Sequence, residues 1–269
     1  RIDAEIPEYV PSIYPLKTSG DPHAIANAVD LLLKAKRPII VAGGGALSSK
    51  AYNEVSQLAE MLDIPIMTTP CGRSIIPEDH PLAFGLVGLY FSKLGEEIYN
   101  SADLLMTIGS RNEEFQSGIY SFFPKGAKYI QIDIDPFEIG RNWIPNVPIV
   151  GDASMILAEM IISIKDRIGS QKKKNSWTSE LLKEKEKYDQ EVQKECMVDD
   201  VPIKTKRVIW ELNHVFGKDT ILVNENGSQD LWSYYHPYYK VFDINSCIAP
   251  GEQTCMGFGV AGAIGAKLA

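Results

Sequence analysis

The residues best suited to holding a charged, planar ligand fall in short blocks. Gly43-Gly44-Gly45 closes an apolar stretch and opens a helical one. Glycines there let backbone N–H groups approach an anion, and the helix dipole adds positive potential. The same triplet also suits a plain tight βα turn, and without a GxGxxG spacing both readings stand. Asp133-Ile134-Asp135 ends another apolar run, where a carboxylate accepts ribose hydroxyls or caps the following turn. Arg111, just after Gly109, is placed to face a phosphate. Asp152, after Gly151, is a further strand-end acid that equally suits a helix N-cap. Together these blocks outline a dinucleotide groove better than any one of them does.

A second group lies towards the C-terminal side. Asn224-Glu225-Asn226-Gly227-Ser228-Gln229 turns off a short strand into a helix, and its polar groups suit a phosphate. Thr254-Cys255-Met256-Gly257-Phe258-Gly259 precedes a small-residue helix, Ala261 to Ala269. Met256 is either a soft apolar support under a planar ring or an ordinary core residue. His23, His80, His214 and His236 have no spacing for a metal or a catalytic triad. There is no Gly-x-Ser-x-Gly elbow and no P-loop.

The elements that must carry these blocks follow from periodicity. Asp21 reads as an N-cap with Pro22 at the first helical position, and Ile25, Ala28, Val29, Leu32 and Leu33 continue at helical spacing. Strands are predicted over residues 37–45 (ending in the glycines), 64–69, 102–109, 128–133, 147–150 and, further on, 220–224, with helices over 48–62 and from Ala153 to about Ile164. Strands alternating with helices imply parallel pairing with crossovers, and apolar runs without alternation imply strands covered on both faces. The predicted fold class is therefore α/β: a doubly wound, Rossmann-like parallel sheet over residues 22–165, behind an extended linker (1–21). A mixed-charge helix over 166–200 reads as a solvated linker, and a second, partial α/β domain is expected over 201–269.

The 269 residues are 45% hydrophobic and 23% charged, ample for a buried core. The net charge of −8 speaks against a nonspecific nucleic-acid binder. Four cysteines stand without CxxC or ligand spacing, which fits reduced thiols and a cytoplasmic setting. No apolar run reaches the roughly 18 residues of a membrane helix, and no basic-then-apolar leader opens the sequence. The chain starts at Arg1 and ends in small apolar residues without a helix stop signal, as expected of a piece of a longer protein.

In this order the blocks resemble the thiamine diphosphate enzymes of the acetolactate synthase type. The quoted residues are Arg37–Gly45, Thr68-Thr69, Gly109-Ser110-Arg111, Asp133-Ile-Asp-Pro-Phe-Glu-Ile-Gly140 and Gly151-Asp152, with Met256-Gly-Phe-Gly and Ala263–Ala269 behind them. The Asp-Pro-x-Glu-Ile-Gly block is the most specific. The resemblance implies a central domain followed by the start of a diphosphate-binding domain. It implies that Gly227, Ser228 and Gln229 lie near the diphosphate of thiamine diphosphate. It further implies that the Thr254 carbonyl meets the aminopyrimidine and that Met256 is the wedge holding the cofactor bent. The activating glutamate would belong to a preceding domain, and the Mg²⁺ ligands would follow Ala269.

The sequence also departs from that pattern. Thr254 replaces a glycine, Asn112-Glu113-Glu114-Phe115 replaces Phe-Asp-Asp-Arg, and Gly88-Leu89-Tyr90-Phe91 replaces Gly-Met-His-Gly. The last two lie where FAD runs in acetolactate synthase, so FAD, ADP or no ligand all remain open for the groove of Gly43–Gly45, Arg111, Asp133, Ile134 and Asp152. The implied function is decarboxylation of a 2-oxo acid such as pyruvate and transfer of the two-carbon unit, by a homo-oligomer, in branched-chain amino acid biosynthesis. The isolated chain is expected to be inactive. The alternatives are a related 2-oxo acid decarboxylase and a non-catalytic nucleotide-binding or assembly module. A nicotinamide oxidoreductase is disfavoured by the missing GxGxxG and the unpartnered histidine spacing.

Overall fold

The computed structural model describes residues 17–169, 171–251 and 255–269, apart from the side chains of residues 228–230. Helix α1 (Pro22–Lys34) starts as its sequence dictates. The Asp21 carboxylate accepts from His23 N at 2.9 Å, Pro22 opens the first turn, and Ile25, Ala28, Val29 and Leu32 are buried. It leads into β1 (Pro38–Ala42), α2 (Gly44–Ser48), α3 (Tyr52–Leu62), β2 (Ile66–Thr68), β3 (Ala83–Leu86), α4 (Lys93–Ser101), β4 (Leu104–Ile108), β5 (Lys128–Asp133), β6 (Val147–Val150) and α5 (Ala153–Ile168).

All six strands are parallel, in the order β3-β2-β1-β4-β5-β6. Alternate residues feed two separate cores, one on each face of the sheet. Ile40, Ala42, Leu104, Met106, Ile108, Ile130 and Ile132 pack with α1, α3 and α5. Ile39, Val41, Leu105 and Tyr129 pack on the opposite face with α4 and with Leu181 of the next helix. This is the doubly wound α/β fold expected. Its strand order reverses between β1 and β4, which places a crevice outside the carboxyl ends of those strands.

In the central domain the structure adds two elements that the periodicity did not yield and divides a third. β3 is a four-residue edge strand with Gly85 at φ +86. A Cβ at Gly85 would stand 2.7 Å from His236, so the glycine admits the C-terminal segment. Helix α4 is capped by Ser92, whose hydroxyl accepts from Gly95 N at 3.0 Å. The helix expected over 48–62 splits at Ser49–Ala51, where Lys50 takes φ +59. The break frees the Ser49 hydroxyl to donate to Asp152 and accept from Ser154 N.

Beyond α5 come α6 (Ser176–Cys196), α7 (Thr205–Phe216), β7 (Leu222–Val223), α8 (Ser228–Tyr234), β8 (Cys247–Ile248) and α9 (Phe258–Leu268). Despite its charge, α6 is more than a solvated helix: Thr178, Leu181, Val192 and Cys196 are buried. Lys185 covers the sheet edge, its ammonium donating to the carbonyls of His80, Pro81 and Ala83. Burial and the nearby Lys240 push that ammonium down to about 8. The strand predicted over 220–224 shortens to β7, which pairs in parallel with β8. No helix among the described residues is long and apolar enough to cross a membrane.

Candidate functional site

The carboxyl ends of β1, β4, β5 and β6 converge on a groove of about 340 Å³ lined by Gly45, Gly109, Ile132, Asp133, Ile134 and Asp152, among others. That volume lies at the low end of the range for ligand pockets and suits a nucleoside-sized group. Gly45, Asp133, Ile134 and Asp152, predicted from scattered positions, thus come together. Arg111 does not join them. It lines an adjacent, more polar cleft of about 250 Å³ with Glu113, Glu114, Phe115, Tyr120, Arg141 and Asn142.

The glycine triplet resolves largely as a packing device. Gly43 N donates to Ile108 O at 2.8 Å and Gly45 N to Gly109 O at 2.9 Å. A Cβ on Gly43 would lie 2.3 Å from Gly109 O, and one on Gly44 would meet Cys71. Gly109 itself, at φ +58, would drive a Cβ into the backbone of Gly45. The β1 and β4 turns therefore interlock backbone against backbone, which only glycine permits.

Asp133 is nearly buried at the end of β5, and one carboxylate oxygen accepts from Asp135 N at 3.0 Å. Burial pushes its carboxyl above the usual carboxylate range, and Glu138 and Asp135 add to the shift. The loop after it is held from below by Gln131. The Gln131 side chain donates to Glu138 O at 2.9 Å and accepts from Gly140 N at 2.8 Å. Asp135 accepts from Phe137 N, Glu138 pairs with Arg141 at 2.8 Å, and Gly140 sits at φ +72. The Asp-Pro-Phe-Glu-Ile-Gly block is thus a self-bracing turn that leaves Ile134 60% exposed beside the groove.

Asp152 is the N-cap of α5, accepting from Met155 N at 3.2 Å. It also accepts from Ser49 Oγ at 2.8 Å and pairs with Lys17 at 3.2 Å. Burial opposes ionisation, but these three donors outweigh it and hold the carboxyl below its ordinary value. Sequence reasoning found Asp152 but missed Ser49 and Lys17, which lie in the ordinary polar stretches Ser48–Lys50 and Lys17–Asp21 and carry no local signal.

The second group of predicted residues lies on the second sheet. Parallel pairing of β7 and β8 sends the Glu225–Gln229 turn and the Met256–Gly259 turn from the same end of that sheet. The Glu225 carboxylate bridges them, accepting from Gly257 N and Gly259 N, each at 2.7 Å. Gly227 is exposed at φ +138 and precedes α8, which begins at Ser228 and continues through Gln229. Met256 projects 87% exposed from the facing turn. Thr254 lies outside the described residues.

Two further charged residues that the sequence did not mark, Arg73 and Glu78, anchor this part of the chain. The fully buried Arg73 guanidinium grips both Glu78 oxygens at 2.8 Å and donates to Ser233 O at 2.6 Å and Tyr239 O at 3.1 Å. Glu78 returns the contact, accepting from Val241 N at 2.7 Å.

Fold and groove together define a doubly wound α/β domain with a crevice at its carboxyl edge, followed by a two-stranded parallel sheet. The chain belongs to the thiamine pyrophosphate enzyme family, whose central domain matches residues 25–160. It is similar to the probable acetolactate synthase large subunits of Methanococcus aeolicus (38% identical; 94% of this chain, 43% of the relative) and Methanocaldococcus jannaschii (36%; 98% and 44%). It is also 30% identical to the glyoxylate carboligase of Escherichia coli O157:H7 over 97% of this chain and 44% of that protein. The chain therefore spans less than half the length of these relatives.

Proposed function

We propose that this chain is the central region, with the first part of the cofactor region, of a thiamine diphosphate- and Mg²⁺-dependent enzyme that decarboxylates pyruvate and joins its two-carbon unit to a second 2-oxo acid, giving acetolactate. The observation that carries this reading is the convergence of the Gly227 turn and the Met256 turn at one end of the β7–β8 sheet, in a chain similar along nearly its whole length to acetolactate synthase large subunits. The residues fit the organic part of the cofactor. Met256 is an exposed, soft apolar side chain beside Gly257, and Glu225, two residues before Gly227, ties the two turns through backbone amides. They do not supply the metal: no group of three His, Cys, Asp or Glu among the described residues is arranged to hold one.

Gly227, with the backbone of Ser228 and Gln229, would lie at the diphosphate end, and Met256 with Thr254 at the thiamine end. The bound cofactor supplies the electron sink that a 2-oxo acid needs to lose carbon dioxide. The chain's own contribution is orientation. Met256 would present apolar surface to the cofactor's organic part, Glu225 fixes its turn, and the Arg73–Glu78 pair anchors α8 and the segment after it to the central domain. Without the preceding and following regions the isolated chain does not turn over pyruvate, and the working protein is a cytoplasmic homo-oligomer.

In the central groove, Asp133 and Ile134 would hold the adenosine part of FAD or ADP, Asp133 accepting ribose hydroxyls and Ile134 covering the base. With its oxygens already engaged by Ser49, Met155 and Lys17, Asp152 acts as a brace for the rim. The test is the full-length protein with pyruvate, thiamine diphosphate and Mg²⁺, with acetolactate as the product sought. Carbon dioxide release without acetolactate would point instead to a related 2-oxo acid decarboxylase.

A further inference from the structure

The N-cap of helix α9 is Gly257, which has no side chain to cap the first turn. A helix start ordinarily takes its acceptor from a neighbouring Ser, Thr, Asp or Asn. Here the acceptor arrives from another turn, 32 and 34 residues away in sequence: Glu225 Oε1 accepts from Gly257 N and Oε2 from Gly259 N, each at 2.7 Å. Oε1 also accepts from Asn226 N, in its own turn, at 3.0 Å. One carboxylate thus fastens both turns to each other.

The surrounding sequence is shaped to this contact. Gly257 adopts φ +84, which favours glycine. A Cβ on Gly259 would lie 3.0 Å from Glu225 Cβ and Oε2, so a side chain there would push the carboxylate away. Gly259 is thus accounted for by the approach of Glu225, and Gly257 by its left-handed backbone, with open space at its Cβ position. The group must be a carboxylate, because a side-chain amide offers a single acceptor oxygen and would turn its own N–H groups towards one of the backbone donors. Charge-assisted bonds of this kind are shorter and stronger than neutral ones.

We propose that Glu225 is a positioning residue, which sets Met256 on the turn before α9 against Gly227 on the turn before α8 and so fixes the spacing between the two ends of the cofactor cradle. This rests on the assignment of those two turns to thiamine diphosphate. Glu225 does not touch the reacting atoms; it acts through the backbone of Gly257 and Gly259.

Two variants of the full-length protein test this, Glu225→Gln and Glu225→Asp, the second retaining both acceptor oxygens on a shorter stem. Amide hydrogen exchange without cofactor should speed up at Gly257 and Gly259 in Glu225→Gln and stay unchanged at the strands of the central sheet. Titration with thiamine diphosphate at fixed Mg²⁺ should show Kd raised roughly tenfold or more, the scale of losing one charge-assisted hydrogen bond. At saturating cofactor, kcat should also fall, because Met256 is then held less firmly. Glu225→Asp should recover part of both losses. Faster exchange with unchanged Kd and kcat would reduce Glu225 to a helix cap and overturn the proposal; so would unchanged exchange. If the unaltered protein binds no thiamine diphosphate, the functional assignment falls and the cofactor part of the proposal with it, while the exchange comparison still reports whether Glu225 joins the turns.

Discussion

At the scale of single residues, Asp133 and Asp152 end neighbouring stretches of the same groove yet are opposite in character. Burial holds Asp133 above the usual carboxylate range, so its charged form is disfavoured in the fold. The penalty sets in as pH rises above the unfolded carboxylate pKa and is complete once pH exceeds the raised folded value. Asp133→Asn is therefore expected to raise the melting temperature at pH 7 while weakening adenine-nucleotide binding, measured by calorimetry. A residue serving packing alone would show no loss of binding. Asp152 is held below its ordinary value, so its contribution is present above the unfolded pKa and is lost as pH falls through the folded one. Removing this cap by Asp152→Ala should cost about 1–2 kcal/mol at neutral pH. Urea unfolding should show the difference from the parent shrinking at acidic pH. The sequence offered Asp152 as both ligand and cap, and the donors from Ser49, Met155 and Lys17 show that it serves as a cap. No spacing rule could have decided this, because Ser49 lies 103 residues away.

At the scale of elements, what could be read from the sequence was what periodicity encodes. β1 and β4 are five residues of nearly continuous apolar sequence, and β5 sets Tyr129, Ile130 and Ile132 among polar neighbours; the apolar content of each marks it as a strand. β3 is not marked in this way, because four residues with a central glycine carry no period; it exists because β2 and α6 flank it. The Gly43–Gly45 turn was legible as a turn, but its interlock with Gly109 is a tertiary fact. The Arg73–Glu78 clamp was invisible for the same reason, since its value depends on carbonyls 160 and 166 residues away. Removing one member of a buried ion pair leaves the other charge without compensation. Arg73→Met should cost about 3–5 kcal/mol in urea unfolding. Arg73→Met combined with Glu78→Leu should cost less than Arg73→Met alone, and an additive double variant would contradict the clamp.

At the scale of the whole molecule, two parallel sheets present their carboxyl ends as separate sites. One is the groove of the central domain and the other the paired turns after β7 and β8, and Arg73 and Glu78 tie the second region to the first. Much of the surface around the second sheet is apolar and exposed: Val215 on α7 and Val260 and Leu268 on α9 are each more than 70% exposed. Such a surface suits burial against further protein, in keeping with relatives more than twice as long as this chain. The isolated chain is accordingly expected to release no carbon dioxide from pyruvate with thiamine diphosphate and Mg²⁺ present. The most direct measurement is acetolactate formation by the full-length protein from pyruvate, with and without thiamine diphosphate. The account predicts acetolactate that depends strictly on the cofactor. A folded full-length protein that neither binds thiamine diphosphate nor consumes pyruvate would contradict it.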